Sequence, residues 1–166
     1  MPKVALIYHS TYGHVKALAD KIKEGAEEAG LQVDMYQVQE TLSAEVLSKM
    51  GATPNPHPDP VFTYDHVEKL PDYDGFFFGF PTRFGIMSAQ MKAFFDQLGG
   101  LWFAGKLIGK PASMFTSTGT PGGGIETTIM TAVTQLTHQG MVFIPFGYSA
   151  MEKQVNLDRD SFCSSA

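Results

Sequence analysis

Residues 75–85 read Gly-Phe-Phe-Phe-Gly-Phe-Pro-Thr-Arg-Phe-Gly. The first six, Gly75 to Phe80, are apolar without alternation and too few for a helix core, so they predict a strand buried on both faces. A strand hidden on both sides needs a helical layer above and below it, which is the arrangement of a parallel sheet. The next five, Pro81-Thr82-Arg83-Phe84-Gly85, read as a loop at the strand's end. The proline breaks the strand, and the glycine lets the backbone approach a ligand closely. Arg83 brings a permanent positive charge and Phe84 a flat apolar surface.

The flanking sequence repeats the pattern. Val4 to Tyr8 predicts another buried strand, and His14 to Glu28 a helix whose Val15, Leu18, Ala19, Ile22 and Ala26 form one stripe, stopped at Gly30. Gln32 to Val38 reads as a strand. Residues 41–50 hold a short helix capped by Thr41 or Ser43. Residues 51–60 carry four prolines in seven positions, a stiff surface excursion rather than a domain boundary. Met87, Met91, Phe94, Phe95, Leu98 and Trp102 recur at helical spacing, the pattern of a helix that packs on the core. Ala112 to Phe115 reads as a strand, Thr127 to Gln139 as a helix, and Met141 to Phe146 as the last strand. Strands alternating with helices predict one doubly wound α/β domain over 1–148, with five parallel strands and right-handed crossovers.

The chain has 166 residues, 43% hydrophobic and 17% charged, with a net charge of −5. This excludes a largely disordered chain, and it offers no basic footprint for nucleic acid. Cys163 is the single cysteine, so neither an intramolecular disulfide nor a zinc finger can form. The first apolar run is too short for a signal peptide, and no stretch approaches the length of a membrane span. The expectation is a soluble cytoplasmic protein.

In open α/β sheets, ligands bind beyond the C-terminal ends of the strands, so the loops there should carry function. Three do. Ser10-Thr11-Tyr12-Gly13-His14 offers hydroxyls, a flexible glycine and the free amides of a helix start, all of which suit a phosphate; simple N-capping by Ser10 or Thr11 is the alternative. The second is Pro81 to Gly85. The third, Ser117-Thr118-Gly119-Thr120-Pro121-Gly122-Gly123-Gly124, alternates hydroxyls with bare backbone, suited to a flat or phosphorylated ligand. A phosphate-binding G-x-x-x-x-G-K-[ST] stretch is absent, as is G-x-G-x-x-G after the first strand, which disfavours P-loop and dinucleotide-binding domains. The histidines at 9, 14, 57, 66 and 138 are scattered, without metal-ligand spacing.

Together the stretches "YHSTYGHV", "GFPTRFGIMSAQMKAFFDQLGGLWFAGKLIGKPAS", "STGTPGGGIETT" and "LTHQGMVFIPFGY" resemble the WrbA-type NAD(P)H:quinone oxidoreductases, flavoproteins of the flavodoxin-like fold. The resemblance implies strand order 2-1-3-4-5 and FMN as cofactor. It places the phosphate at Ser10, Thr11, Tyr12, Gly13, His14 and Val15. The ribityl chain and ring fall against Pro81, Thr82, Arg83, Phe84 and Gly85, and against Ser117, Thr118, Gly119, Thr120, Pro121 and Gly122. His138 matches the family's histidine at the ring edge, Trp102 the aromatic wall of the quinone pocket, and Tyr12 a contact to NADH or NADPH. The implied reaction is ping-pong: the nicotinamide reduces the flavin and leaves, then a quinone takes two electrons. Arg83 and His138 are the candidates for stabilising charge on the reduced ring. Dimers or tetramers with shared sites are also implied.

Two departures stand out. His138-Gln139-Gly140 replaces a His-His-Gly stretch. Residues 149–166 replace the family's Gly-rich loop and final amphipathic helix, so one sheet face is expected to lack its covering helix, to expose Val, Phe and Ile, and to depend on oligomer contacts for stability. The competing readings are a one-electron flavodoxin-type carrier and a flavin-free interaction protein that lost its cofactor with its C-terminal segment.

Overall fold

The computed structural model describes residues 1–52 and 57–147. The elements are β1 (Lys3–Tyr8), α1 (His14–Glu28), β2 (Gln32–Gln37), α2 (Ala44–Lys49), a 3-10 segment (Tyr64–Asp72), β3 (Gly75–Arg83), β4 (Ile86–Met87), α3 (Ala89–Asp96), α4 (Gly99–Phe103), β5 (Pro111–Ser117), α5 (Ile125–Gln139) and β6 (Val142–Phe143). The sheet runs β2-β1-β3-β5-β6, all parallel. The two-residue β4 folds back antiparallel on β3. Leaving that hairpin aside, the five main strands take the expected doubly wound order.

Both faces of the central strands are buried, and alternate residues serve two cores. Ala5, Ile7, Phe76, Phe78 and Phe80 face α3 and α5, where Met91, Phe94, Phe95, Ala132 and Leu136 pack. Val4, Leu6, Tyr8 and Phe115 face α1 through Val15 and Ala19. The aromatic run of β3 thus meets aromatics on α3, with the Phe78 and Phe95 rings 5.0 Å apart at 60°. Gly79 interrupts that run because the Phe115 ring lies across it.

Several local expectations are corrected. Pro81 does not end β3, which continues to Arg83. β1 stops at Tyr8, opposite Gly79, so at Pro81 itself the only strand paired with β3 is β5, through Ser117, and β4 pairs further on, at Thr82 and Arg83. A proline is tolerated where one flank of a strand is free. The helical stripe from Met87 to Trp102 divides into β4, α3 and α4; Met91, Phe94, Phe95 and Leu98 are buried, but Trp102 is 56% exposed, so it is not core packing. The last strand is Val142–Phe143 alone. Val142 and Ile144 are exposed, while Phe143 packs into the α3/α5 core. Of the expected missing helix, residues 148–166 lie outside the described residues. No helix among the described residues is long and apolar enough to cross a membrane.

Candidate functional site

The strand register sets the site. Tyr8, Gly79 and Phe115 stand level across three adjacent strands. The segments that follow them therefore emerge side by side. A cavity of about 480 Å³ lies there, lined by Ser10, Thr11, Tyr12, His14, Val15, Pro81, Thr82, Arg83, Ser117, Thr118 and Gly119. That volume is within the range of cofactor sites.

At the first segment the N-cap of α1 is Gly13, not Ser10 or Thr11. Gly13 takes φ 92°, a left-handed backbone that favours glycine, and has no side chain to cap with. Ser10 acts from further back: its Oγ accepts from the amides of Gly13 (3.1 Å) and Lys16 (3.3 Å). The amides of Tyr12, His14 and Val15 have no acceptor among the described residues. They stand at the positive end of a 15-residue helix, a ready site for an anion.

At the second segment, Arg83 Nη1 donates to Thr82 O and Nη2 to Thr11 Oγ1, both at 2.9 Å. Arg83 therefore ties the second segment to the first, and among the described residues it forms no ion pair. Phe84 (φ 55°) and Gly85 (φ 81°) are both left-handed, as a tight hairpin turn between β3 and β4 requires. At the tip of this turn the Phe84 ring is fully exposed, next in sequence to Arg83.

The third segment packs on that turn. A side chain at Gly124 would meet Gly85 Cα at 3.4 Å and Thr127 Oγ1 at 3.0 Å. Thr82 and Thr128 share a hydroxyl hydrogen bond, which fastens the start of α5 to the end of β3. Thr118 Oγ1 donates to Thr120 O (2.6 Å), while Thr120, Pro121 and Gly122 are exposed and do not line the cavity.

Two candidate residues lie elsewhere. His138 is in the last turn of α5, ten residues beyond Thr128, or about 15 Å along the helix. The carbonyl of the nearby Gly140 accepts from the Gly109 amide (2.8 Å), just ahead of β5. His138 is therefore exposed at the end of the sheet opposite the cavity. Trp102 is on α4 and also does not line the cavity.

A buried polar cluster stands behind the first segment. His9 is 4% exposed; its Nδ1 is 3.0 Å from Ser88 Oγ and its Nε2 3.3 Å from Glu40 Oε2. Burial would raise the Glu40 carboxyl, but hydrogen bonds from the Leu42 amide, Gln90, His9 and the Thr41 amide outweigh it and hold the group below its ordinary value. Burial pushes His9 down; Glu40 opposes this and Arg83 adds to it, and the net is a lowered value. The sequence reading passed over this cluster. Strand alternation is the signal that could have found it, since His9 continues the inward-facing series Ala5, Ile7.

These shifts have a consequence for stability. A group whose folded value is depressed contributes stability that is present above its unfolded value and lost as pH falls. His9 and His57 are both lowered from 6.5, and Glu40 and Asp34 from 4.5 and 3.8. The melting temperature is expected to fall as pH drops through about 6.5 and again below about 4.5. Replacing His9 with glutamine should flatten the first part of that fall. Circular dichroism melts across the range check this; an unchanged first part would mean that His9 is not held neutral by burial.

Comparison with known proteins agrees with this geometry. The chain matches the family described as NADPH-dependent FMN reductase over residues 2–156. It is 54% identical over 158 residues to quinone-oxidoreductase QR2 of Triphysaria versicolor, covering 95% of this chain and 75% of that protein. It is 48% identical over 149 residues to the NAD(P)H quinone oxidoreductase PST2 of Candida albicans, covering 90% and 72%. Among solved structures it superposes on a flavodoxin, WrbA-like protein from Agrobacterium tumefaciens with TM-score 0.64 and 25% identity, covering 87% and 77% of the two chains. Flavodoxin 2 from Bacillus cereus, at 18% identity and TM-score 0.61, covers 96% and 90% and shares the fold. With a family match running through β1, β3, β5 and the three segments beyond them, this chain belongs to the NADPH-dependent FMN reductase family.

Proposed function

We propose that this protein is an FMN-dependent NAD(P)H:quinone oxidoreductase, in which NADH or NADPH and then a quinone use one pocket in a ping-pong sequence. The observation that carries the reading is the cavity where three strand-end segments converge, with helix amides at one side that have no acceptor, and an arginine at the other that has no ion pair, among the described residues. These residues fit FMN. The amides of Tyr12, His14 and Val15 would hold the phosphate, assisted by the hydroxyls of Ser10 and Thr11. Bare backbone and hydroxyls at Thr82 and at Ser117 to Gly119 would hold the ribityl chain and ring, with Gly13, Phe84, Gly85, Thr120, Pro121 and Gly122 shaping the turns around them. Bound FMN supplies the redox chemistry. Arg83 faces the cavity with donors left over and would stabilise negative charge there. Tyr12 is exposed at the rim with its hydroxyl donating to Met50 O (3.3 Å), and it would contact the nicotinamide.

His138 and Trp102 join this site through a second copy of the chain. Both are exposed and outside the cavity, and a symmetric pair of chains can each supply what the other's site lacks. Phe84, Trp102 and Phe103 are exposed aromatics that such an assembly would bury. We place the protein in the cytoplasm, where its lone cysteine suits a reducing compartment.

The purified protein is expected to be yellow or to quench added FMN at micromolar concentration. It should oxidise NAD(P)H to NAD(P)⁺ and reduce a quinone to hydroquinone in equal amounts, with parallel double-reciprocal plots. Material that stays colourless and ignores FMN would end the reading, and a stable one-electron-reduced flavin would turn it toward a carrier. In mixtures, Arg83→Ala and His138→Ala chains, each inactive alone, should regain about a quarter of wild-type activity, since half the random dimers carry one intact site. No recovery would return His138 to a role within its own chain.

A further inference from the structure

Directly before the first strand-end segment stands a residue that does not line the cavity. The His9 amide donates to Gly79 O (2.8 Å), fixing its backbone to β3. Its ring turns to Ser88 and Glu40. An ionised Glu40 only accepts, so the proton sits on Nε2, and Nδ1 accepts from the Ser88 hydroxyl. Ser88 is the N-cap residue of α3, yet its side chain makes no cap hydrogen bond; its hydroxyl is given to His9. Glu40 is gripped from its other side by the amides of Thr41 (2.8 Å) and Leu42 (3.0 Å) and by Gln90. One imidazole therefore joins the end of β1, the turn after β2 and the start of α3.

We propose that His9 is a positioning residue for the phosphate end of the FMN site, an assignment that rests on the flavin reading above. Next to it, Ser10 organises the turn that presents the free amides of α1. With His9 pinned to Ser88 and Glu40, that turn stays where its amides converge on a single anion. A second cavity of about 270 Å³, walled in part by Glu40, Gln90 and Phe94, borders the Glu40 side of the cluster, so on that side hydrogen bonds hold Glu40 where packing is open. The hydrogen bonds of His9 add direction to the packing around its buried ring.

The test compares FMN with riboflavin, which has the same ring and no phosphate, by fluorescence quenching on the full chain. His9→Ala is expected to weaken FMN about tenfold, the effect of losing hydrogen bonds that involve a charged partner, while riboflavin moves less than about twofold. His9→Gln, which can still donate to Glu40, should recover most of the loss. Ser88→Ala removes the other partner without removing a helix cap, and should show the same selectivity at about threefold. If both flavins weaken equally in these variants, His9 is a general fold residue and the proposal is overturned; no change in either flavin overturns it as well. A wild-type protein that binds neither flavin removes the flavin reading itself, an outcome visible before any variant is made.

Discussion

Arg83→Ala is expected to weaken FMN binding by on the order of 100-fold, and to lower quinone reduction with it. The guanidinium uses two donors to bridge Thr82 O and Thr11 Oγ1 and keeps the rest for a ligand. Its backbone belongs to β3, so the charge is held by a paired strand and not by a mobile loop. Removing it deletes the cavity's permanent positive charge and the bridge between two of the three converging segments. Arg83→Lys should restore little, because an ammonium cannot span both partners in a plane. The loss should appear in affinity and turnover with little change in melting temperature, since Arg83 is half-buried and packs into neither core. Titration of each variant with FMN checks it, and an Arg83→Ala affinity within about threefold of wild type would remove Arg83 from the site.

Gly79 carries the largest expected effect on stability. A Cβ there would lie 2.2 Å from Phe115 Cζ and 2.4 Å from Cε2. Phe115 is buried among Leu6, Tyr8 and Val15 under α1, so the ring cannot swing away without disturbing that core. Gly79→Ala is expected to cost about 2 kcal/mol and Gly79→Val more, the range of overpacked cores. For a domain of this size that lowers the melting temperature by about 4–8 °C per 2 kcal/mol. Phe115→Leu should relieve part of the clash, making the double variant more stable than the sum of the single ones. Urea denaturation measures both; a Gly79→Ala loss under about 0.5 kcal/mol would show that the ring is not wedged as described.

The glycines were legible to different depths. Gly79 sits inside an apolar strand, where sequence suggests only a gap; the register with Phe115 makes it a steric requirement. Gly13, Gly85 and Gly124 mark turns that composition already announced, yet their left-handed backbones, and the contact of Gly124 with Gly85, depend on how β3 and α5 meet. Pro81 was misread because a proline's tolerance depends on whether its strand has one neighbour or two, which is a property of the sheet. The site's three segments were readable because each follows a short apolar run, and their residue types state their chemistry. His9, Glu40, Ser88 and Gln90 were not, because they come from three separate stretches and look ordinary one by one.

From the sequence alone follow the alternation of buried strands and amphipathic helices, hence the doubly wound class, and the chemistry offered at each strand's end. Those are local properties, carried by the apolar period and by turn and capping residues within a few positions of one another. The tertiary structure decided which segments share a cavity, that Arg83 bridges two of them, and that His138 stands about 15 Å along α5 from Thr128, at the other end of the sheet. Such relations depend on register and on helix direction across the sheet. They exist only once residues dozens of positions apart have been packed against each other.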